Sequence, residues 1–185
     1  MRTVCVFCGA NLGNRPEYSA LARRVGAALA KRGLALVYGG GRVGLMGVLA
    51  DAALEAGGRV IGVIPQMLIE REAGHTGLSE LHVVTTMAER KLRMGEMSEA
   101  FLALPGGIGT MDELFEVWTW TQLGLHQKPC GLLDYDGYYS GLLEFISQAE
   151  REGFLRPRHR AALLVERDAD RLLDRLLAAA PQGDP

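Results

Sequence analysis

Cysteine, long apolar runs and any excess of basic charge are all scarce in this chain, and each shortage removes a class of protein. Three cysteines, Cys5, Cys8 and Cys130, do not make a disulfide framework. Cys5-Val6-Phe7-Cys8 has the spacing of a redox or zinc element. It falls inside an apolar strand-like run, however, where residues three apart point to opposite faces. His75, His82, His126 and His159 stand singly, so no second ligand pair accompanies it. The cysteines are therefore expected to be small buried apolar groups, and no metal or cofactor is expected. No run of about 18 uncharged apolar residues exists, so nothing is expected to cross a membrane. The apolar run near the N-terminus, Val4 to Phe7, is too short for a signal-peptide core, and a cytoplasmic protein is expected. A formal charge of -2 with scattered basic residues argues against a nucleic-acid groove. Repeats, low-complexity segments and linkers are missing too. At 185 residues with 48% hydrophobic content, residues 1–180 are expected to form one domain, with 181–185 as a frayed tail.

What is present is a strict alternation of short apolar runs and amphipathic stretches. Strands are expected at Thr3–Cys8, Leu34–Tyr38, Val60–Ile64, Leu81–Thr85, Ala100–Leu104, Cys130–Leu133 and, briefly, Ala162–Val165. Helices are expected from Pro16 to about Lys31, from Leu45 to Ala56, from Met87 to Ser98 and from Thr110 to about Leu123. Two more run from about Tyr138 to Glu152 and from Asp168 to Ala179. Pro16 suits a first helical position, and Gly33 suits the C-terminal cap of the first helix. The connection from Pro65 to Glu80 is long for a compact domain, which suggests a lid or short helices. Near-continuously apolar strands alternating with helices give an α/β fold: a Rossmann-like three-layer sandwich with a mostly parallel sheet. Right-handed crossovers place all strand-to-helix loops on one edge of that sheet, where open α/β sheets bind ligands.

Two of those loops are rich in glycine. Gly39-x-Gly41-x-x-Gly44 matches a dinucleotide-binding pattern, but it follows the second strand rather than the first. The strand after it ends at Ile64-Pro65-Gln66, where a ribose-binding acid would stand in an NAD site. No GK[ST] follows, so it is not a P-loop. The open alternatives are a mononucleotide phosphate cradle and a tight turn for helix packing. The second loop, Pro105-Gly106-Gly107-Ile108-Gly109-Thr110, leads into a helix whose unpaired amides and dipole suit an anion. Thr110 and Glu113 also fit a capping box, which accounts for both without a ligand. A phosphate there would meet Asp112 and Glu113 and would need a cation nearby. Arg90, Lys91 and Arg93 lie early in the Met87 helix, where the dipole favours anions, and Arg90 is the candidate. The plain alternative is solvated surface charge, with Glu89 and Arg93 as an i,i+4 pair.

Val6-Phe-Cys8-Gly9, Tyr38-Gly-Gly-Gly41-x-x-Gly44-Leu-Met-Gly47, Met87-x-Glu-Arg90-Lys91-x-x-Met94 and Pro105-Gly-Gly-x-Gly109-Thr110-x-x-Glu113 occur in that order. Together they resemble the "lonely guy" family of cytokinin riboside 5'-monophosphate phosphoribohydrolases, also labelled possible lysine decarboxylases. The likeness runs from about residue 3 to 180. It implies hydrolysis of the N-glycosidic bond of AMP or an N6-modified AMP, releasing the free base and ribose 5-phosphate. Arg90 and Glu113 take the catalytic positions of that resemblance. Gly40, Gly41, Gly107, Gly109 and Thr110 take the phosphate-binding positions, and Met87 and Lys91 are further substrate contacts. A homodimer is implied as well. Two departures leave substrate preference open: Ala10-Asn11 replace hydroxyl residues after the first strand, and Ala88 replaces a histidine. In chemical terms, cleavage builds positive charge on the ribose. A carboxylate below the sugar would stabilise that charge or draw a proton from water. Glu113 in a first helical turn would gain from the dipole, with Arg90 fixing its orientation. The decarboxylase label fits poorly, because a pyridoxal phosphate enzyme needs a Schiff-base lysine. Lys31, Lys91 and Lys128 stand at a helix end, beside Arg90 and in a connecting loop. A non-catalytic nucleotide carrier or sensor is the alternative reading.

Overall fold

The computed structural model describes residues 2–69 and 74–180. Seven strands, β1 (Thr3–Phe7), β2 (Ala35–Tyr38), β3 (Val60–Pro65), β4 (Glu80–Val84), β5 (Ala100–Ala103), β6 (Cys130–Leu133) and β7 (Leu163–Glu166), form one sheet. Its order is β4-β3-β2-β1-β5-β6-β7, and every neighbouring pair is parallel. The chain thus builds outward from β1 to one edge, then returns to start again on the other side of β1 at β5. That reversal leaves a crevice at the carboxyl ends of β1 and β5. Each strand falls within about two residues of its sequence-based bounds.

Period-two alternation divides the core into two apolar layers. Val4, Val6, Leu36 and Leu102 face Leu21, Val25 and Leu29 of α1 (Pro16–Lys31), Leu49 and Ala53 of α2 (Gly44–Glu55), and Leu172 and Leu176 of α7 (Ala169–Ala179). Cys5, Phe7, Val37 and Phe101 face the opposite way. They meet Met94 of α3 (Met87–Glu96), Leu114 and Val117 of α4 (Ile108–Leu123), and Ile146 of α5 (Ser140–Arg151). Cys5 and Cys8 accordingly lie in different layers, both buried, which rules out joint ligation of one ion. Among the described residues, no three His, Cys, Asp or Glu side chains gather as a metal cluster. No helix among them is long and apolar enough to cross a membrane. Each fully buried leucine contributes roughly 1.5–3 kcal/mol of transfer energy.

Two departures from the sequence-based elements have local causes, while the long connection after β3 carries a short helical turn as expected. A short helix, α6 (Pro157–Ala161), went unseen because Arg158-His159-Arg160 carries no apolar period. The connection after β3 opens with a single 3-10 turn, Gln66–Leu68. Farther on, Gly74 bridges Gly41 and the His75 amide donates to the Gly40 carbonyl. Residues 70–73 of that connection and the tail at 181–185 lie outside the described residues. The larger departure concerns α4. It starts at Ile108 with Gly107 as N-cap and no side chain capping it, so Thr110 is not the cap. Glu113 therefore sits in the second turn. A capping arrangement does occur on α3, where the Thr86 side chain accepts from the Glu89 amide and Glu89 accepts from the Thr85 amide.

Candidate active site

A cleft of about 360 Å³ opens at the reversal point, lined by the β1–α1 loop at 8–13 and the β5–α4 loop at 105–110. Leu45, Met46, Arg90, Glu113, Tyr18 and Tyr138 complete its walls. Its size is at the low end of the range typical for small-molecule sites. The two loops are tied together: the Gly9 amide donates to the Pro105 carbonyl at 3.2 Å and the Leu45 amide to the Gly9 carbonyl at 3.0 Å. Gly106 has to be glycine here. A Cβ on it would stand 2.1 Å from Thr110 Oγ1 and 2.9 Å from the Gly9 nitrogen.

With no side chain capping α4, its first amides turn toward the cleft unclaimed by any cap. Ile108, the first helical residue, is 90% exposed and lines the cleft. Gly107 and Gly109 add no side chains that would fence off the terminus.

Arg90 reaches the same cleft from α3 and is only 5% exposed. Burying a guanidinium is costly unless its donors are satisfied. Two main-chain carbonyls are among its acceptors: Nε donates to Val63 at 3.1 Å and Nη2 to Gly39 at 2.9 Å. Val63 lies within β3, and Gly39 directly follows β2. Nη1 lies 4.0 Å from Glu113 Oε1, with the two side chains 6% and 12% exposed. Glycine at 39 is required by this approach, because a Cβ would fall 2.0 Å from Nη2. The Glu113 charge is felt across the cleft: burial first, and then Glu113, pushes the Cys8 thiol well above its ordinary range. Cys5 is pushed up for the same two leading reasons. Because Glu113 lies beyond the first turn, the helix dipole supports its charge little. The Arg90 guanidinium is its countercharge.

Of the residues singled out by sequence, Arg90, Glu113, Gly107, Gly109 and Thr110 come together in this cleft. Gly40 and Gly41 do not line it. Gly40 is packed against Ile64 and Leu81, and Gly41 is bridged to Gly74. Lys91 also turns away from the cleft, to Asp112 Oδ2 and Glu116 Oε2, both at 3.1 Å. Burial alone would lower the Lys91 pKa, but Glu116 and Asp112 outweigh it and the net direction is upward. Lys91 thus ties α3 to α4 through these two carboxylates. Met87 stays outside the lining, with its sulfur 4.0 Å from Arg90 Nη1. Glu89 and Arg93 do not form the expected pair, since Arg93 meets Glu96. Sequence reasoning gave too little weight to the β1–α1 loop and to Tyr18 and Tyr138. Gly9, ending an apolar first strand, was the available signal for the loop.

A parallel sheet with an anion-ready helix start and a buried acid–guanidinium pair at its reversal point defines a Rossmann-like α/β protein with a nucleotide-type cleft. The model of the family described as "possible lysine decarboxylase" matches residues 46–176, and the chain belongs to that family. A cytokinin riboside 5'-monophosphate phosphoribohydrolase from Rhodococcoides fascians is 52% identical over 170 residues, spanning 91% of this chain and 86% of that protein. One from Arabidopsis thaliana is 46% identical over 180 residues, spanning 97% and 84%. Among solved structures, the molybdenum cofactor carrier protein of Chlamydomonas reinhardtii superposes with a TM-score of 0.73 at 21% identity, covering 96% of this chain and 98% of that one. DNA processing protein A of Helicobacter pylori gives 0.60 at 14% identity, covering 97% and 82%. These two likenesses speak for the fold alone.

Proposed function

We propose that this single nucleotide-binding domain hydrolyses the N-glycosidic bond of AMP or an N6-modified AMP, releasing the free base and ribose 5-phosphate. The observation that carries the reading is the buried Arg90–Glu113 pair, 4.0 Å apart, beside an uncapped helix terminus in one cleft. The 5'-phosphate sits on the amides of Gly107, Ile108, Gly109 and Thr110, where dipole and unpaired donors coincide. That remote grip positions the ribose over Glu113. As the C1'–N bond breaks, positive charge spreads over the sugar ring, and the Glu113 carboxylate stabilises it. Water adds its oxygen to C1', the same carboxylate takes one of its protons, and that proton passes through solvent to the departing base, which returns Glu113 to its charged form. Arg90, fixed by two carbonyls, holds the carboxylate in place and faces the ribose or phosphate. Water is the only co-reactant, and the cytoplasm is the setting.

A non-catalytic carrier or sensor would use the same cleft. It would have no use for a buried carboxylate, which repels an anionic ligand, so the Glu113 position favours chemistry. Incubation of the purified protein with AMP and with isopentenyladenosine monophosphate, followed by chromatography, tests the choice. Free base is expected from at least one; nucleotide binding without base release would favour the carrier.

The proposal includes a homodimer. Its support is an apolar face on α4 and α5, where Phe115 and Phe145 line a cleft of about 190 Å³, and Phe145 is 63% exposed with Phe154 nearby at 90%. Sedimentation or light scattering should give a mass of twice the chain.

A further inference from the structure

Two adjacent tyrosines on the connection between β6 and α5 reach over to the loop that carries the anion site. Tyr139 Oη donates to the Leu104 carbonyl at 2.6 Å, and Tyr138 Oη donates to the Gly106 carbonyl at 2.8 Å. Between them, the Pro105 carbonyl is taken by the Gly9 amide. Three successive carbonyls at the end of β5 are therefore each held by a donor. A trans peptide is planar, with its N–H opposed to its C=O. Fixing the Gly106 carbonyl on Tyr138 consequently fixes the direction of the Gly107 N–H, at the N-cap of α4. Without that anchor, a Gly-Gly peptide is among the easiest of all to rotate.

The connection is built to deliver Tyr138 to this place. Asp136 has φ 51°, the one non-glycine residue with positive φ among those described, a conformation that costs about 1 kcal/mol or more. Gly137 follows it in the left-handed region as well. The buried Asp134 side chain accepts from the Tyr139 amide at 2.8 Å, and Asp136 pairs with Arg15 at 2.7 Å. Tyr18 of α1 meets the Tyr138 ring edge-on at 5.6 Å. A strained turn is thus fastened on both sides, and its product is a tyrosine hydroxyl on the Gly106 carbonyl. Tyr139 is 4% exposed and Tyr138 43%, so only the first bond belongs to the core.

We propose that Tyr138 is a positioning residue for phosphate recognition, orienting the Gly106–Gly107 peptide so that its amide meets the anion. This rests on the cleft reading given above. The test compares wild type with Tyr138→Phe and Tyr139→Phe, using calorimetric binding of ribose 5-phosphate and of inorganic phosphate, thermal melting, and steady-state base release from AMP. Tyr138→Phe keeps the ring and loses only the anchor. It should weaken both phosphate probes roughly five- to tenfold, the equivalent of about one neutral hydrogen bond. KM for AMP should rise by a similar factor, with kcat within about twofold and melting unchanged. Tyr139→Phe leaves a buried carbonyl without its donor, so it should lower the melting temperature while phosphate affinity stays within about twofold. Tyr138→Phe binding ribose 5-phosphate like wild type overturns the proposal. So does an affinity loss matched by the same fall in melting as Tyr139→Phe, or a wild-type protein that binds neither probe. If wild type binds ribose 5-phosphate yet releases no base, the hydrolase reading fails, and the affinity comparison still decides the role of Tyr138.

Discussion

Replacing Gly39 with alanine puts a methyl group into the space that the Arg90 guanidinium occupies. The new carbon would lie 2.0 Å from Nη2, and 3.1 Å from both Cζ and the Met46 sulfur. The obstructing atom is the tip of a long side chain, so the arginine gives way and β2 keeps its register. What is lost is the 2.9 Å bond from Nη2 to the Gly39 carbonyl, a charge-assisted bond contributing about 2 kcal/mol. For a chain of this length that corresponds to roughly 4–8 °C in melting temperature. The protein should therefore still fold. The guanidinium, however, moves by about an ångström or more relative to Glu113, and a misplacement of that size costs roughly 100-fold in rate. Base release from AMP, with kcat and KM measured separately, should fall about that far in Gly39→Ala, chiefly in kcat. The double variant Gly39→Ala/Arg90→Ala should be no slower than Arg90→Ala alone, because both act through one group. Wild-type kcat in Gly39→Ala would show that the position of Arg90 does not matter to the chemistry, and the account of the site would fall with it.

Glu113→Gln should bind AMP within a few-fold of wild type while base release drops roughly 100- to 1000-fold; undiminished turnover would remove the carboxylate from the mechanism. Lys91→Met should cost about 1 kcal/mol of stability through its lost ion pairs with Asp112 and Glu116. It should leave KM for AMP within twofold, whereas a tenfold rise in KM without loss of stability would restore Lys91 as a ligand contact. Burial pushes the Cys130 thiol from 9.0 up to about 11, so the native state holds its proton longer than the unfolded chain does. The sign follows: stability is full below about pH 9 and falls as pH rises toward 11, by about 2 kcal/mol from this group. Denaturant midpoints between pH 7.5 and 10.5 should show a slope to which the buried Cys5 and Cys8 thiols also contribute, and Cys130→Ala should reduce it by the share of this one group; parallel slopes in the two proteins would refute the assignment.

Much of the fold was legible because its signals are local and repeated. Seven apolar runs divided by amphipathic stretches leave little choice but a covered parallel sheet, and α1 begins and ends where Pro16 and Gly33 imply. At the site, Arg90 stood out as a cation at the end of a helix that favours anions and Glu113 through the motif that carries the family resemblance, and the structure brings them to one cleft. Other features were hidden for identifiable reasons. Thr110-Met-Asp-Glu113 reads as a capping box, yet two glycines and an isoleucine ahead of it take up the helix or its cap first. Nothing in a one-dimensional pattern ranks those options. Gly40 and Gly41 look like ligand glycines, and so does their neighbour Gly39, but a glycine that admits an arginine is indistinguishable in sequence from one that admits a phosphate. Lys91 adjoins Arg90 in sequence and faces another direction, because successive helical residues are turned about 100° apart. Tyr138 gave no signal at all: its partner, Gly106, lies 32 residues away.

Two of the bonds that Arg90 makes go to peptide oxygens, at Val63 and Gly39. Such acceptors survive any exchange of the side chains at those positions, apart from the glycine itself. The cation's seat should thus outlast extensive drift along β2 and β3, even as the residues that border the substrate diverge. A lineage could change what it cleaves many times over without having to rebuild the place where its charge is kept.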